Sequence, residues 1–133
     1  MRFILGVLLF SSFCFADEYF IISNKKIDTL SRSQVKAIYL KKLHFINDVR
    51  IVPLNLELKH PLRKKFEKNI LKMGFIQLKS YWNKQHYLGK RPPLNMKSQE
   101  AILAFVKKVD GSIAYIDAQP LDNSLNILYK WED

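Results

Sequence analysis

Apolar residues recur along the chain at spacings that switch between two residues and nearly four. Tyr19-Phe20-Ile21-Ile22 is a short apolar run closed by Ser23-Asn24, which predicts a buried strand followed by a loop. Ser31 then opens a helix. It can cap with Gln34 three positions on, Leu30 and Val35 occupy the staple positions around it, and the helix continues through Ile38 and Tyr39. From Val49 to Leu56 the apolar positions are irregular and Pro53 interrupts them, so a strand with an edge-like segment is predicted. His60-Pro61 opens a second helix with Leu62, Phe66, Ile70 and Met73 as its buried stripe and Gly74 as its stop. A third helix runs from about Phe75 to Leu88 with Leu78, Tyr81 and Trp82 inward. The loop Gly89-Lys90-Arg91-Pro92-Pro93 follows, and then a helix capped by Ser98 that carries Ile102, Phe105, Val106 and Val109. Asp110-Gly111 turns into a strand over residues 112–116, and the alternation of Leu125, Ile127 and Tyr129 predicts a closing strand that ends at Trp131. Strands alternating with helices imply an α/β domain around a small mixed sheet flanked by helices.

The N-terminus obeys a different logic. Arg2 precedes an apolar run from Phe3 to Phe10, broken only by Gly6, and Cys14 and Ala16 place small residues three and one positions before a cut. Residues 1–16 therefore read as a cleaved signal peptide, too short to span a bilayer, and 17–133 as one domain located in the periplasm. Cleavage removes the only cysteine, so no disulfide, thiol nucleophile or thiolate metal site is expected. No repeat or linker divides residues 17–133, and nothing after the signal predicts stable membrane insertion.

Charge narrows the partners. The net charge of +10, from 22 Lys+Arg against 12 Asp+Glu, favours anionic partners, and export argues against nucleic acid among them. His44, His60 and His86 lack metal-ligand spacing, and there is no nucleophile elbow, phosphate loop or close carboxylate pair, so no metal, cofactor or catalysis is expected. Lys64, Lys68 and Lys72 lie opposite the apolar stripe and read as a solvated face. Arg63 differs, because it sits in the first turn of a helix whose leading N–H groups can cradle an oxyanion. Tyr81, Trp82, Tyr87 and Phe105 read as core.

The ordered series Leu30-Ser31-Arg32-Ser33, Ile38-Tyr39-Leu40, Ile51-Val52-Pro53-Leu54, 61–66, Tyr81-Trp82, Tyr87-Leu88-Gly89 and 111–116 resembles the small phosphate-type periplasmic substrate-binding proteins of ABC transporters. The resemblance implies one lobe of a type II periplasmic binding protein-like fold, since two lobes need roughly 200–300 residues. It implies a small anion as ligand, phosphate first, bound by loops and helix N-termini. The positions this selects are Ser23, Asn24, Ser31, His60, Arg63 and Arg91, expected together on one surface. The stretch 55–61 carries none of the hydroxyls that phosphate receptors place before the second helix. Two functions follow: a solute-binding protein serving a transporter, or a non-transport module that uses one lobe to bind a periplasmic protein or a second copy of itself.

Overall fold

The computed structural model describes residues 17–24, 27–118, 120 and 123–133; residues 1–16, read from sequence as a signal peptide, lie outside them. Among the described residues seven strands and four α-helices follow in the order β1 (Glu18–Ser23), α1 (Arg32–Tyr39), β2 (Phe45–Ile46), β3 (Val49–Arg50), β4 (Val52–Leu56), α2 (Pro61–Phe66), α3 (Phe75–Tyr87), β5 (Leu94–Met96), α4 (Gln99–Lys108), β6 (Ser112–Ile116) and β7 (Asn126–Glu132). A π turn, Glu67–Leu71, continues α2.

Five strands form one mixed sheet in the order β5-β4-β6-β1-β7. β4 runs parallel to β5 and β6, whereas β1 runs antiparallel to β6 and β7. The chain leaves β4 toward β5 on one side and returns through α4 to β6 on the other. Right-handed crossovers in opposite directions put α2 and α4 on opposite faces of the sheet. Pro53 is tolerated in a central strand because β5 begins pairing only at Leu54.

The core holds an aromatic stack. The Phe66 ring lies 4.2 Å from Tyr115 at 10°, and Tyr39 packs against both, 4.6 Å from Phe66 and 6.0 Å from Tyr115. The Tyr39 hydroxyl donates to the Leu54 carbonyl at 2.8 Å, which satisfies a polar tip inside an apolar layer. Burial pushes the Tyr39 and Tyr115 hydroxyls well above the usual tyrosine range.

Several sequence expectations change. A hairpin precedes β4: Asn47 and Asp48, both at positive φ, join β2 to β3. Lys72 rather than Gly74 takes the left-handed position after the π turn, and Gly74 instead precedes α3. β5 occupies residues read as the end of a loop. In β7 a bulge opposite Ile21/Ile22 breaks the alternation, so Leu128 and Trp131 are buried while Ile127 is exposed. Tyr87 is exposed rather than core, because nine positions after Leu78 places it on the opposite side of α3.

Candidate functional site

The parallel strands point their carboxyl ends at one edge of the sheet, and the topology reverses there at β4. In open α/β sheets this is where ligands bind. β4 is pinned at its last residue. The Leu56 N–H donates to the Tyr115 hydroxyl at 3.0 Å, and its carbonyl accepts from Arg63 Nη1 at 2.9 Å. Asn55, buried alongside, accepts from the same Tyr115 hydroxyl.

Beyond Leu56 the chain makes a tight turn, with the His60 N–H bonded to the Glu57 carbonyl at 2.9 Å. His60 caps α2: its Nδ1 accepts from the Leu62 N–H at 3.1 Å, and Pro61 fills the first helical position. After β5, Ser98 caps α4 by accepting from the Ala101 N–H at 3.1 Å. The Gln99 side chain accepts from the Asp117 N–H at 2.9 Å, tying the exit of β6 to the start of α4. Two helix starts therefore crown the same strand ends.

At this edge a pocket of about 320 Å³ is lined by Asp17, Tyr19, His60, Pro61, Leu62, Lys65 and Asp117. Lys65 is its cation. Its Nζ donates to the Tyr19 hydroxyl at 2.7 Å and lies 3.6 Å from Asp133 and 3.9 Å from Asp17. The hydrogen bond to Tyr19 raises the Lys65 pKa most, desolvation opposes it, and the nearby Asp133 and Asp17 carboxylates add to the rise, so the ammonium is retained. The pocket thus offers an ammonium, a hydroxyl and an imidazole beside carboxylate acceptors.

Of the residues selected from sequence, the structure brings His60 and Arg63 to this edge and places the others elsewhere. Ser23 and Asn24 end β1 about 13 Å along the strand from Tyr19, where Asn24 donates to Asp110 at 3.1 Å. Ser31 forms the predicted capping box with Gln34, but beside β7, since the Leu30 N–H bonds the Leu128 carbonyl. Arg91 lies exposed ahead of β5, at the amino end of that strand. The expected single surface joining all six does not form.

Arg63 is present but occupied. Besides Leu56, it bonds Glu67 Oε1 at 3.2 Å and Asn95 Oδ1 at 3.4 Å, and only 15 % of its side chain is exposed. It joins α2 to the ends of β4 and β5. Burial raises the Glu67 pKa, and the neighbouring Arg63 opposes that rise. Sequence reasoning missed Tyr19, Lys65, Gln99 and Asp117. Their convergence depends on β1 lying beside β6 and on β5 being a strand, neither of which leaves a local signal. Among the described residues no group of His, Cys, Asp or Glu could hold a metal ion, and no helix is long and apolar enough to cross a membrane.

No protein-family model matches the sequence, and no curated protein matches it. Solved structures do. A protein from Clostridium perfringens, described as a phosphate ABC transporter substrate-binding protein with bound phosphate, superposes with a TM-score of 0.67 at 21% identity, over 84% of this chain and 44% of its own. An ABC-type phosphate transport receptor from Vibrio cholerae gives 0.65 at 17% identity, over 86% of this chain and 47% of its own. The chain spans less than half the length of these proteins, and its fold is that of one lobe-sized part of a phosphate-type substrate-binding protein.

Proposed function

We propose that this chain is a periplasmic solute-binding domain for a small anion, with phosphate the first candidate, serving ABC transport without catalysis of its own. The observation that carries the reading is the fold shared with a phosphate-bound protein, combined with two helix starts at the carboxyl edge of β4 and β5. Lys65, Tyr19 and His60 supply donors in the edge pocket. Asp17 and Asp117 supply acceptors, and a carboxylate accepts only from an oxyanion that carries a proton. Phosphate carries one near neutral pH and sulfate does not, so the pocket chemistry favours phosphate.

Calorimetric titration of the purified protein tests this. Phosphate is expected to bind and sulfate to bind at least tenfold more weakly; Lys65→Ala should weaken phosphate by about tenfold, the loss of one charged hydrogen bond. Equal affinity for the two anions, or no heat with either, contradicts the proposal.

The second reading is a module that binds a protein partner or its own copy through this edge. It is favoured by the commitment of Arg63 to Glu67, Leu56 and Asn95, which leaves Lys65 as the cation of an open pocket. Light scattering and cross-linking in the native envelope separate it from the first, since a monomer with no cross-linked neighbour contradicts it.

A further inference from the structure

A second concavity lies apart from the edge pocket. It is a groove of about 700 Å³ between α2 with its π turn and the start of α3. Leu58, Met73 and Phe75 form its apolar part. Leu58 and Phe75 are 46% and 59% exposed, and Ile76, next to Phe75, is 80% exposed. Large side chains held this open to water form an apolar patch of the kind that marks an interaction surface.

The rim is cationic. Lys59, Lys64, Lys68 and Lys72 line the groove, and none of the four side chains makes an ion pair or hydrogen bond with the described residues. Glu67 also lines it, but its carboxylate is bound to Arg63 and so does not neutralise the lysines. The backbone fixes this arrangement: the π turn and the left-handed Lys72, at φ 54°, swing the chain so that Lys72 joins Lys64 and Lys68 beside the apolar wall.

We propose that this groove and the Phe75-Ile76 tip dock onto an anionic lipid bilayer. Lysine is a hydrated point charge without the planar fork that reads one fixed carboxylate geometry, so four of them suit a fluid layer of headgroups. The groove lining contains no arginine, asparagine or glutamine and no open strand edge with which to register a peptide. Exposed aromatic and aliphatic side chains beside a lysine rim are the composition of an interfacial anchor, in which the apolar residues enter the acyl boundary and the lysines meet the headgroups. The association is peripheral and reversible. Lys59 and His60 are consecutive, so docking here holds the edge pocket close to the membrane surface. The proposal is independent of whether that pocket binds phosphate.

Vesicle flotation tests it with the protein purified from the soluble fraction, as the cell processes it. The probes are vesicles of equal parts phosphatidylglycerol and phosphatidylcholine, and vesicles of phosphatidylcholine alone. The protein is expected to float with the first, weakly with the second, and less as salt rises. Each lysine neutralised near the surface should lower partitioning about fivefold, so Lys64→Gln with Lys68→Gln should lower it about 25-fold. Phe75→Ser with Ile76→Ser, both at exposed positions, should release the protein while leaving its thermal transition in place. Equal flotation with both lipids, or wild-type flotation by either double variant, overturns the proposal. So does absence of flotation with retention of an acidic peptide, which would make the occupant a protein.

Discussion

Replacing Arg63 by alanine separates two roles for this side chain, a contact to ligand and a tie within the fold. The structure assigns it the second: it spans α2, β4 and β5 through Glu67, the Leu56 carbonyl and Asn95. A hydrogen bond to a charged group contributes about 1.5–3 kcal/mol, and breaking a buried ion pair costs about 3–5 kcal/mol. The pair here is only largely buried, at 15% and 14% exposure, and the bond to Asn95 is long, so about 2–3 kcal/mol is expected for Arg63→Ala. Urea denaturation monitored by tryptophan fluorescence measures it. Adding Glu67→Gln should recover part of the loss, with a coupling of about 1–2 kcal/mol in the double-mutant cycle. The pH dependence follows from the same contact. Burial already raises the Glu67 pKa and Arg63 holds it back, so the alanine variant raises it further. A carboxyl with a raised folded pKa favours folding in its neutral form. The variant is therefore closest to wild type below the unfolded value, near pH 4.5, and loses ground as pH rises through the raised folded value. A change in stability below about 0.5 kcal/mol together with abolished phosphate binding would refute this reasoning and return Arg63 to the ligand.

Two further perturbations test the fold. Gly111 sits at φ +81°, and a Cβ there would collide with the Arg50 carbonyl, so Gly111→Ala should cost more than about 2 kcal/mol and lower the thermal midpoint; an unchanged midpoint would mean that β3 does not press on this turn. Tyr39 and Tyr115 have folded pKa values raised by burial, so the stability they contribute is intact below pH about 10 and is lost above it, by about 1.4 kcal/mol per pH unit for each group. Alkaline titration of the urea midpoint reads this, and Tyr115→Phe should make the decline shallower; a midpoint flat from pH 9 to about 11 would contradict it.

What the sequence disclosed was mostly local. The Ser31–Gln34 capping box, Pro61 at the start of α2, the Ser98 cap and the Asp110-Gly111 turn each depend on side chains a few positions apart, and each stands where the pattern put it. The π turn was hidden because Leu62, Phe66 and Ile70, four apart, fit an ordinary helical stripe equally well. β5 was hidden because three residues behind Pro92-Pro93 are too few to show a period. The site suffered most from this. Ser23 and Asn24 lie where a strand ends, as site residues often do, but β1 runs antiparallel to β4, so its carboxyl end lies at the opposite edge from His60. Strand direction is a long-range property, and no residue near Ser23 encodes it.

The central claim, that a small anion binds in the pocket at the carboxyl ends of β4 and β6, is tested most directly by mapping amide chemical shifts during a phosphate titration. The account predicts saturable shifts at Leu62, Ser98, Gln99 and Asp117 and around Tyr19 and Lys65, with Ser23, Asn24, Ser31 and Arg91 unmoved. Shifts confined to Ser23, Asn24 or Arg91, or no saturable shift at all, would contradict it.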